Sequence, residues 1–398
     1  MNETFLFYIL TFLPHLRDHA YMKNQEKLNL IKNSLTAALQ SCCKFESLQA
    51  HLSKLPQGQD IALLAIGKDA GRMLDAAMKT ISPAAGNAIC LTKYGYYQPE
   101  DKRIIFMEAG HPVPDENTIK HSLTIINWLK SLPQEMDLVV LLSGGGSALF
   151  EAPKAPYNLA DIIRINKELL TKGLDIKEMN RVRATFSEVK AGAAAKHFKG
   201  KHLRVYALSD VENDDPRVIS SGPFTRADVE YHIIGNNYSF RQILKAELEQ
   251  RGFDVINLQA FMSSDVTALI NGLKQTLAAN SQSPACSIIL SGGEVPIQVT
   301  GKGLGGRCTH LALSMAPILE NYENALFLAF ATDGSDNLYG VAGAWVDSQT
   351  AKKLKSRGID IDEALQNSDS YTALNSIGQI LETGEFHANV NDVYILSL

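Results

Sequence analysis

Short apolar runs alternate with stretches of helical periodicity along the first two thirds of the chain. The strand-length runs are "DIALLAIG", "NAICLTK", "RIIFMEAG", "MDLVVLLSGG" and "RVYALSDV". Between them lie segments such as "KDAGRMLDAAMKTI", in which apolar residues recur every three to four positions, as in a helix. The runs are apolar throughout and do not alternate with polar residues. This pattern predicts a parallel sheet covered by helices on both faces.

The pattern changes in the last third of the chain. "SIILSGGEVPIQVTGKGLGGR" predicts a strand, a Ser-Gly-Gly turn and an edge strand, because "VPIQVT" alternates and Pro296 cannot donate a ladder hydrogen bond. A helix ("CTHLALSMAPIL") and the strands "ALFLAFATDG", "AGAWVD" and "NDVYILSL" follow. We therefore predict a second, mixed α/β domain after the parallel-sheet domain.

The predicted domain limits are 22–258 for the large domain and 259–398 for the small one, with the boundary between 236 and 285. Residues 1–21 are predicted to be an N-terminal extension. Their segment "ETFLFYILTFLPHL" is apolar but shorter than the ~18 residues that indicate a membrane-spanning helix. It lacks the basic flank and the cleavage site of a signal peptide, which leaves a natural start at Met22 or a docking segment as the better explanations.

Composition excludes some functional classes and leaves others open. Among the 398 residues, 45 % are hydrophobic and 20 % charged, and the net charge is −5, as in an ordinary globular protein. We expect no nucleic-acid partner, since no stripe of basic and aromatic residues occurs, and no membrane partner. The five cysteines contain no C-x-x-C pair, and their odd number argues against a disulfide framework. Both features indicate a reducing, cytoplasmic environment.

Glycine and polar residues follow most of the predicted strands. Ligands of open α/β sheets bind beyond the carboxyl ends of the strands, so these residues are expected to form one site. Glycine-rich loops at helix starts favour phosphate or carboxylate, and the aspartates favour Mg²⁺. Each turn alone is explained as well by an ordinary tight turn, and it is the recurrence that indicates a site. The strand-end groups are Gly67-Lys68, Gly110-His111, Ser143–Ser147, Ser209-Asp210, Ser291–Glu294 and Thr332-Asp333.

Known nucleotide motifs give a mixed result. No Walker A sequence occurs, but Gly301, Gly303 and Gly306 form a G-x-G-x-x-G string. A dinucleotide fingerprint needs a buried strand before it, and "VPIQVT" does not have that character. The alternative is a basic glycine loop in which Lys302 and Arg307 face an anion, since a guanidinium binds carboxylate or phosphate through two parallel hydrogen bonds.

Seven segments resemble one known family and follow in its order. They are "GHPVPDE", "LLSGGGSALFEAP", "MNRVRATFSEVKAG", "LSDVENDDPRVISSGP", "LSGGE…GKGLGGR", "ATDGSD…AGAWVD" and "ANVNDVYIL". From about residue 29 to 398 the chain resembles the type II glycerate kinases, which carry a C-terminal MOFRL domain and are also labelled putative hydroxypyruvate reductases. The resemblance implies ATP-dependent phosphorylation of D-glycerate, most often at the 2-hydroxyl, with Mg²⁺ or another divalent cation. It also implies a Rossmann-like domain, a smaller α/β domain and an active site in the cleft between them.

The resemblance places the family's charged pair on Lys68 and Arg307, and leaves open which of them contacts glycerate. Lys190 is a third candidate catalytic residue, with an ordinary surface lysine as the alternative. Asp210 is the first candidate metal ligand and Asp333 the second. The remaining predicted binding residues are Ser143, Gly144, Gly145, Gly146, Ser147, Ser291, Gly292, Gly293, Glu294, Asn389 and Asn391.

One departure from the family lies beside the candidate arginine, where "GGRCTHLAL" replaces the usual "GGRNQE-A". Two other functions remain open. One is an NAD(P)H-dependent hydroxypyruvate reductase, which the glycine string favours, and the other is a non-catalytic sensor that keeps the cleft. The position of the phosphate on the product and the choice between monomer and homodimer are left open by the sequence.

Overall fold

The computed structural model describes residues 23–56, 58–171, 176–263, 265–280, 287–338, 340–382 and 388–398. The predicted N-terminal extension, residues 1–21, lies outside the described residues, and so does the polar stretch at 281–286.

The first sheet contains six parallel strands within the described ranges. Its order is β3-β2-β1-β4-β5-β6. Runs such as "IALLAI" and "DLVVLL" are buried at every position because helices cover both faces. Strands β1 to β3 extend the sheet toward one edge, and β4 to β6 extend it toward the other. Ligands of such sheets bind where this order reverses, which here is between β1 and β4. The strands are β1 (Ile61–Ile66), β2 (Ala88–Lys93), β3 (Ile105–Ala109), β4 (Asp137–Leu142), β5 (Leu203–Leu208) and β6 (Glu230–Gly235).

The second sheet has six strands in the described part of the chain and is mixed. Its order is β11-β10-β9-β12-β8-β7, in which β7 and β8 are parallel and the other pairs are antiparallel. The strands are β7 (Asp254–Met262), β8 (Ser287–Gly293), β9 (Leu326–Ala331), β10 (Val341–Asp347), β11 (Ile380–Glu382) and β12 (Asp392–Ser397). A parallel sheet with a second, mixed sheet confirms the predicted α/β fold class.

Helices cover both sheets. They are α1 (Asn24–Cys42), α2 (Glu46–Leu52), α3 (Ala70–Met78), α4 (Glu116–Ser131), α5 (Gly146–Leu149), α6 (Leu159–Thr171), α7 (Ile176–Phe186), α8 (Asn237–Glu249), α9 (Val266–Asn280), α10 (Arg307–Leu319), α11 (Thr350–Ser356), α12 (Ile361–Gln366) and α13 (Ser370–Asn375). Short 3₁₀ turns lie at Ala194–His197, Glu212–Asp214 and Ile219–Ser221. Helix α4 begins with a capping box, in which the Asp115 carboxylate accepts from Thr118 N and Thr118 Oγ1 accepts from Asp115 N.

The N-terminal helix packs against the second sheet, far away along the chain. Leu28 and Ile31 of α1 are buried in one core with Phe240 of α8 and with apolar residues of β8, β9 and β12. Lys27 Nζ donates to the carbonyl oxygen of Leu398 at 3.0 Å. A division at residue 258 would cut through β7, which pairs with β8.

Two local predictions were wrong. Ser291–Gly293, expected as a turn, form the buried end of β8, since Ser291 pairs with Tyr394 and Gly293 with Asp392 of β12. The segment "VPIQVT", expected as an edge strand, forms no strand. Instead, the loop that follows it hydrogen-bonds to the turn after α12, where Gly303 N donates to Asn367 O at 2.9 Å. Contacts with a remote turn outweighed the local alternation.

Candidate active site

Two loops at the carboxyl ends of β1 and β4 are joined by hydrogen bonds. Lys68 N donates to Gly144 O at 2.9 Å, and Asp69 N donates to Ser143 Oγ at 3.0 Å. Gly67 has a φ of 128°, and a Cβ on it would lie 2.3 Å from Ser143 Oγ. Glycine is therefore required for the loops to approach so closely.

Gly144 is the point at which three remote segments meet. A Cβ on this residue would lie 2.3 Å from Asn389 Nδ2 and 2.3 Å from Asp210 Oδ2. A Cβ on its neighbour Gly145 would lie 3.0 Å from His111 Nε2. The Asn389 Nδ2 atom is buried without a hydrogen-bond partner among the described residues. This donor beside a glycine loop is available to a ligand.

An ion pair connects the two sheets across this site. Lys68 Nζ lies 2.8 Å from Asp333 Oδ2, which follows β9. Burial alone would lower the pKa of Lys68, but the Asp333 carboxylate raises it above the usual lysine value. Burial would raise the pKa of Asp333, and the Lys68 ammonium group lowers it below the usual value. Both groups are therefore charged at neutral pH.

Asp210 is a partly buried carboxylate with no cation in ion-pair contact among the described residues. Burial, and then the charge of Glu294, raise its pKa to about 6, although Lys68 acts in the opposite direction. Asn391 Nδ2 donates to the backbone oxygen of Asp210 and fixes this loop to the second sheet. Such a carboxylate is suited to binding a divalent cation, whose charge would replace the missing partner.

No group of three or more His, Cys, Asp or Glu side chains with metal-binding geometry occurs in the described residues. Mg²⁺ in phosphoryl-transfer sites is usually held by one or two carboxylates together with substrate phosphates and water. Asp210, with Asp333 close enough to influence its charge, fits that arrangement.

Arg307, the first residue of α10, is held by two acidic side chains. Its Nε and Nη2 lie 3.2 and 3.3 Å from the two carboxylate oxygens of Asp392, and Nη1 donates to Glu294. Burial would lower the pKa of Arg307, but Asp392 and Glu294 raise it. Burial raises the pKa of Asp392 to about 7 despite the neighbouring guanidinium. The guanidinium is thus fixed in orientation, and the Arg307 side chain is 37 % exposed.

The start of α10 already has a carboxylate partner. Asp336 accepts from Cys308 N at 2.9 Å and from Thr309 N at 2.8 Å. Asp336 also lies against Gly306, since a Cβ on Gly306 would lie 2.3 Å from Asp336 Oδ1. The amides that would bind a pyrophosphate in a dinucleotide fingerprint are therefore occupied.

Lys190 lies beneath the glycine loop, with 3 % of its surface exposed. Its Nζ donates to Ser147 O at 2.6 Å and lies 3.3 Å from Glu151 Oε2. Burial lowers its pKa, and Glu151 offsets part of this effect. Ser147 Oγ lies 2.7 Å from Ser221 Oγ. These contacts fix the loop from below.

Asn237, the first residue of α8, contacts the end of β8 and the segment before β12. A Cβ on Gly292 would lie 2.4 Å from Asn237 Oδ1. Asn237 Nδ2 donates to the backbone oxygens of Val390 at 2.8 Å and Asp392 at 2.9 Å. Asn237 therefore ties β8 to the segment that carries Asn389 and Asn391.

The sequence pattern places His111 in one of the strand-end groups, but it does not single out two other residues of this site, Asp392 and Asn237. Burial, and then the neighbouring Lys68, lower the pKa of His111 to about 4, so it is neutral at pH 7. The position of His111 just after β3 indicates a place in the site, whereas nothing in the sequence indicates one for Asn237.

No helix among the described residues has the length and apolar character needed to cross a bilayer.

Comparison with known proteins gives consistent matches over most of the chain. Residues 26–247 match DUF4147, a domain of unknown function, and residues 287–392 match the MOFRL family. The D-glycerate 2-kinase of Thermotoga maritima is 33 % identical, over 84 % of this chain and 90 % of that protein. A putative hydroxypyruvate reductase of Agrobacterium vitis is 31 % identical, over 92 % of this chain and 93 % of that protein. The crystal structure of a Thermotoga maritima glycerate kinase has a TM-score of 0.84 and 30 % identity, over 94 % of this chain and all of that one.

Proposed function

Since this chain belongs to the family of glycerate kinases that combine a DUF4147 domain with a MOFRL domain, we propose that it transfers the γ-phosphoryl group of ATP to a hydroxyl of D-glycerate. The observation that supports this most is the convergence at Gly144. There a glycine loop of the first sheet meets Asp210 and the second sheet's Asn389, and the Lys68–Asp333 ion pair lies beside it.

Phosphoryl transfer depends mainly on positioning and on neutralising negative charge. We assign the backbone amides of Ser143–Ser147 and the Asn389 amide to the phosphate oxygens. Lys68 and Arg307 neutralise the transferring group and the glycerate carboxylate. Lys190 acts as a positioning residue, because its ammonium group holds the backbone of Ser147.

We propose Asp210 as the ligand of a divalent cation such as Mg²⁺, with Asp333 as the second candidate. The cation supplies positive charge to the phosphate chain. Asp333 also keeps Lys68 charged and oriented toward the glycine loop, since the two side chains lie 2.8 Å apart.

The residues of this chain fit a nicotinamide reductase less well. The glycine string at 301–306 follows an irregular segment, and Asp336 occupies the start of the helix after it. A dinucleotide site needs a strand before the glycines and free amides after them. Oxidation of NADH with hydroxypyruvate in the absence of ATP would favour this function instead.

The decisive experiment incubates the protein with ATP, Mg²⁺ and D-glycerate and identifies the product by ³¹P and ¹³C NMR. We expect a phosphoglycerate, with the phosphate on the 2-hydroxyl. EDTA should abolish turnover and excess Mg²⁺ should restore it. Lack of any phosphoglycerate would reject the proposed function, and turnover in excess chelator would reject the role of the cation.

We further infer a cytoplasmic location from the cysteine content, and a monomer or homodimer as the working form. Cell fractionation and light scattering test these two inferences.

A further inference from the structure

A buried ion pair lies beneath the glycine loop Ser143–Ser147, and its acidic member has no role in the proposed function. Glu151, two residues after the end of α5, is 2 % exposed, and Lys190 is 3 % exposed. The Lys190 Nζ atom lies 3.3 Å from Glu151 Oε2. A buried ion pair adds little net stability, because both charges lose their water. Its position under the loop therefore needs another explanation.

The lysine of this pair holds the glycine loop. Lys190 Nζ donates to the carbonyl oxygen of Ser147 at 2.6 Å and lies 3.3 Å from Ser147 Oγ. Ser147 is the last residue of the loop and already belongs to the short helix α5. A charged donor binds an oxygen about twice as strongly as a neutral donor does. The hold of Lys190 on the loop is therefore strong only while its amine is protonated.

The carboxylate of Glu151 is fixed in its place. Ser187 Oγ donates to Glu151 Oε1 at 2.5 Å, and Glu151 N donates to Ser122 Oγ at 3.0 Å. Ser187 and Lys190 are joined as well, because Lys190 N donates to Ser187 Oγ at 3.3 Å. One oxygen of the carboxylate thus binds the serine and the other faces the ammonium group. A group that orients another group needs such fixed geometry.

Glu151 is the only acidic side chain within ion-pair distance of Lys190 among the described residues. Burial lowers the pKa of Lys190, the Glu151 carboxylate raises it, and the Arg183 guanidinium lowers it again. Without Glu151, Lys190 would face a second cation and no carboxylate at that distance. It would then lose its proton at a lower pH than in the wild-type protein.

The same network explains a motif that has no role in the proposed function. The segment "MNRVRATFSEVKAG" is one of those that resemble the family, and it contains Asn180 and Lys190. Ser221 Oγ donates to Asn180 Oδ1 at 3.0 Å and lies 2.7 Å from Ser147 Oγ. The motif therefore reaches the end of the glycine loop twice, directly through Lys190 and by way of Ser221.

We propose that Glu151 is a positioning residue of the reaction, which acts through Lys190 to hold the glycine loop where phosphoryl transfer needs it. The proposal rests on the proposed kinase function, in which the amides of this loop bind phosphate oxygens. Glu151 exchanges no proton with the substrates. It keeps Lys190 charged and oriented, and so prevents a displacement of the loop, since a shift of about 1 Å is enough to slow a reaction roughly 100-fold.

The first experiment replaces Glu151 by glutamine, which keeps the shape of the side chain and an acceptor for Ser187 but removes the charge. Glu151→Gln should lower kcat by roughly 10- to 100-fold and weaken the binding of MgADP, measured by titration calorimetry. The loss in kcat relative to the wild-type protein should grow from pH 6 to pH 9, because Lys190 loses its proton earlier in the variant. A merely structural role would give a loss that does not depend on pH.

Asp137→Asn is the matched control. Asp137 is 1 % exposed and lies 3.0 Å from Arg204 Nη1, so it also belongs to a buried ion pair. It begins β4, whereas the glycine loop follows the other end of that strand. This variant should lose stability in thermal unfolding, while kcat and the binding of MgADP stay unchanged.

A double substitution tests whether the two charges act as one unit. Lys190→Met should lower kcat at least as much as Glu151→Gln does, because it removes the group that holds the loop. Glu151→Gln combined with Lys190→Met should lose no more than Lys190→Met alone, since Glu151 acts on the loop through Lys190. Independent roles would instead multiply the two losses.

Ser187→Ala takes the place of Glu151→Gln if that variant does not fold. It removes only the hydrogen bond that orients the carboxylate. It should lower kcat by roughly 3- to 10-fold, and unchanged kcat in the folded Ser187→Ala protein would then overturn the proposal.

Unchanged kcat in folded Glu151→Gln, a loss that is equal at pH 6 and pH 9, or multiplied losses in the double variant would each overturn the role of Glu151. A wild-type protein that binds MgADP without phosphorylating D-glycerate would reject the kinase function alone. Weaker MgADP binding in Glu151→Gln would in that case still support its hold on the loop, and unchanged binding would overturn both.

Discussion

The buried carboxyl groups of Asp69 and Asp392 and the partly buried one of Asp210 have raised pKa values at the candidate active site. Burial is the main cause for each, and the pKa is about 6 for Asp69 and Asp210 and about 7 for Asp392. Such groups cluster at functional sites because a site that binds charged ligands must hold charges that are costly in the free protein. Among the described residues, Asp69 Oδ2 has no hydrogen-bond partner, which makes it the clearest case.

We predict that Asp69→Asn stabilises the protein at pH 8. The folded-state pKa of about 6 exceeds the ~3.9 of an exposed aspartate, so the folded protein holds this proton more tightly than the unfolded chain does. The stability that protonation provides is complete below pH ~4 and is lost as the pH rises to 6. The variant should gain up to about 3 kcal/mol of unfolding free energy at pH 8, and the gain should shrink at pH 5.

Urea unfolding at the two pH values measures this difference, with Asp362→Asn on the exposed surface as the control. Equal effects at pH 5 and pH 8 would show that the Asp69 carboxyl is not held in its neutral form.

Arg307→Ala should lower kcat/KM for D-glycerate phosphorylation by about 100-fold or more. The guanidinium is oriented by Asp392 and Glu294, and loss of one preorganised charge-stabilising group typically costs that much. Cys308→Ala, at the adjacent buried position, should change kcat/KM only slightly. Steady-state kinetics of both variants, with thermal unfolding to verify the fold, test this. Near-normal kinetics in a folded Arg307→Ala protein would remove the residue from the site.

Strand ends, rather than whole helices or strands, carry the candidate chemistry at the level of elements. The loops after β1 and β4 are joined because Lys68 N donates to Gly144 O and Asp69 N donates to Ser143 Oγ, and Lys190 supports the second loop from below. From the second half of the chain, Asp333 enters the site after β9 and Asp392 at the start of β12, whereas Arg307 enters at the start of α10. Six parallel strands place such ends at one edge of the sheet.

We predict that Gly144→Ala strongly lowers activity while the protein stays folded. The added methyl group would lie 2.3 Å from Asn389 Nδ2 and Asp210 Oδ2, so it would push apart the segments that meet there. We expect kcat to fall by about 100-fold, because displacements near 1 Å have effects of that size. Gly86→Ala is the control: alanine is strained at its φ of 83°, but the methyl group meets no atom within 4 Å, so stability should fall while kcat stays unchanged. Full activity of Gly144→Ala in the NMR product assay would exclude a close approach at this loop.

The described residues form two sheets, and the helices that pack on each sheet do not follow the order of the chain. Helices α1 and α8 pack on the second sheet, although the first sheet lies between them in sequence. The Lys68–Asp333 ion pair then joins residues 265 positions apart. The site is therefore made by the association of both sheets and is incomplete in either one.

Ile31→Ala should destabilise the protein by about 2–5 kcal/mol, the usual effect of truncating a fully buried isoleucine. The reason is that α1 supplies part of the core of the second sheet. Ile176→Ala is the control, because Ile176 is 44 % exposed and should lose far less. Denaturant unfolding measures both. A loss in Ile31→Ala no larger than that of the control would show that α1 does not stabilise the second sheet.

Much of the fold follows from local patterns along the chain. Uniformly apolar runs such as "IALLAI" identify buried parallel strands because both of their faces are covered. The helices between them follow from the spacing of their apolar residues. The glycines and aspartates after the strands also indicate a site, since strand ends of a parallel sheet meet at one edge.

The order of the strands and the partners of each side chain required the tertiary structure. Local alternation suggested a strand at 295–300, yet contacts with the remote turn at Asn367 prevented it. Nothing near Lys190 in the sequence shows that it lies buried beside Glu151 beneath the glycine loop. Periodicity records which face of an element is buried. The identity of the group that covers that face depends on segments hundreds of residues away, and only the folded chain brings them together.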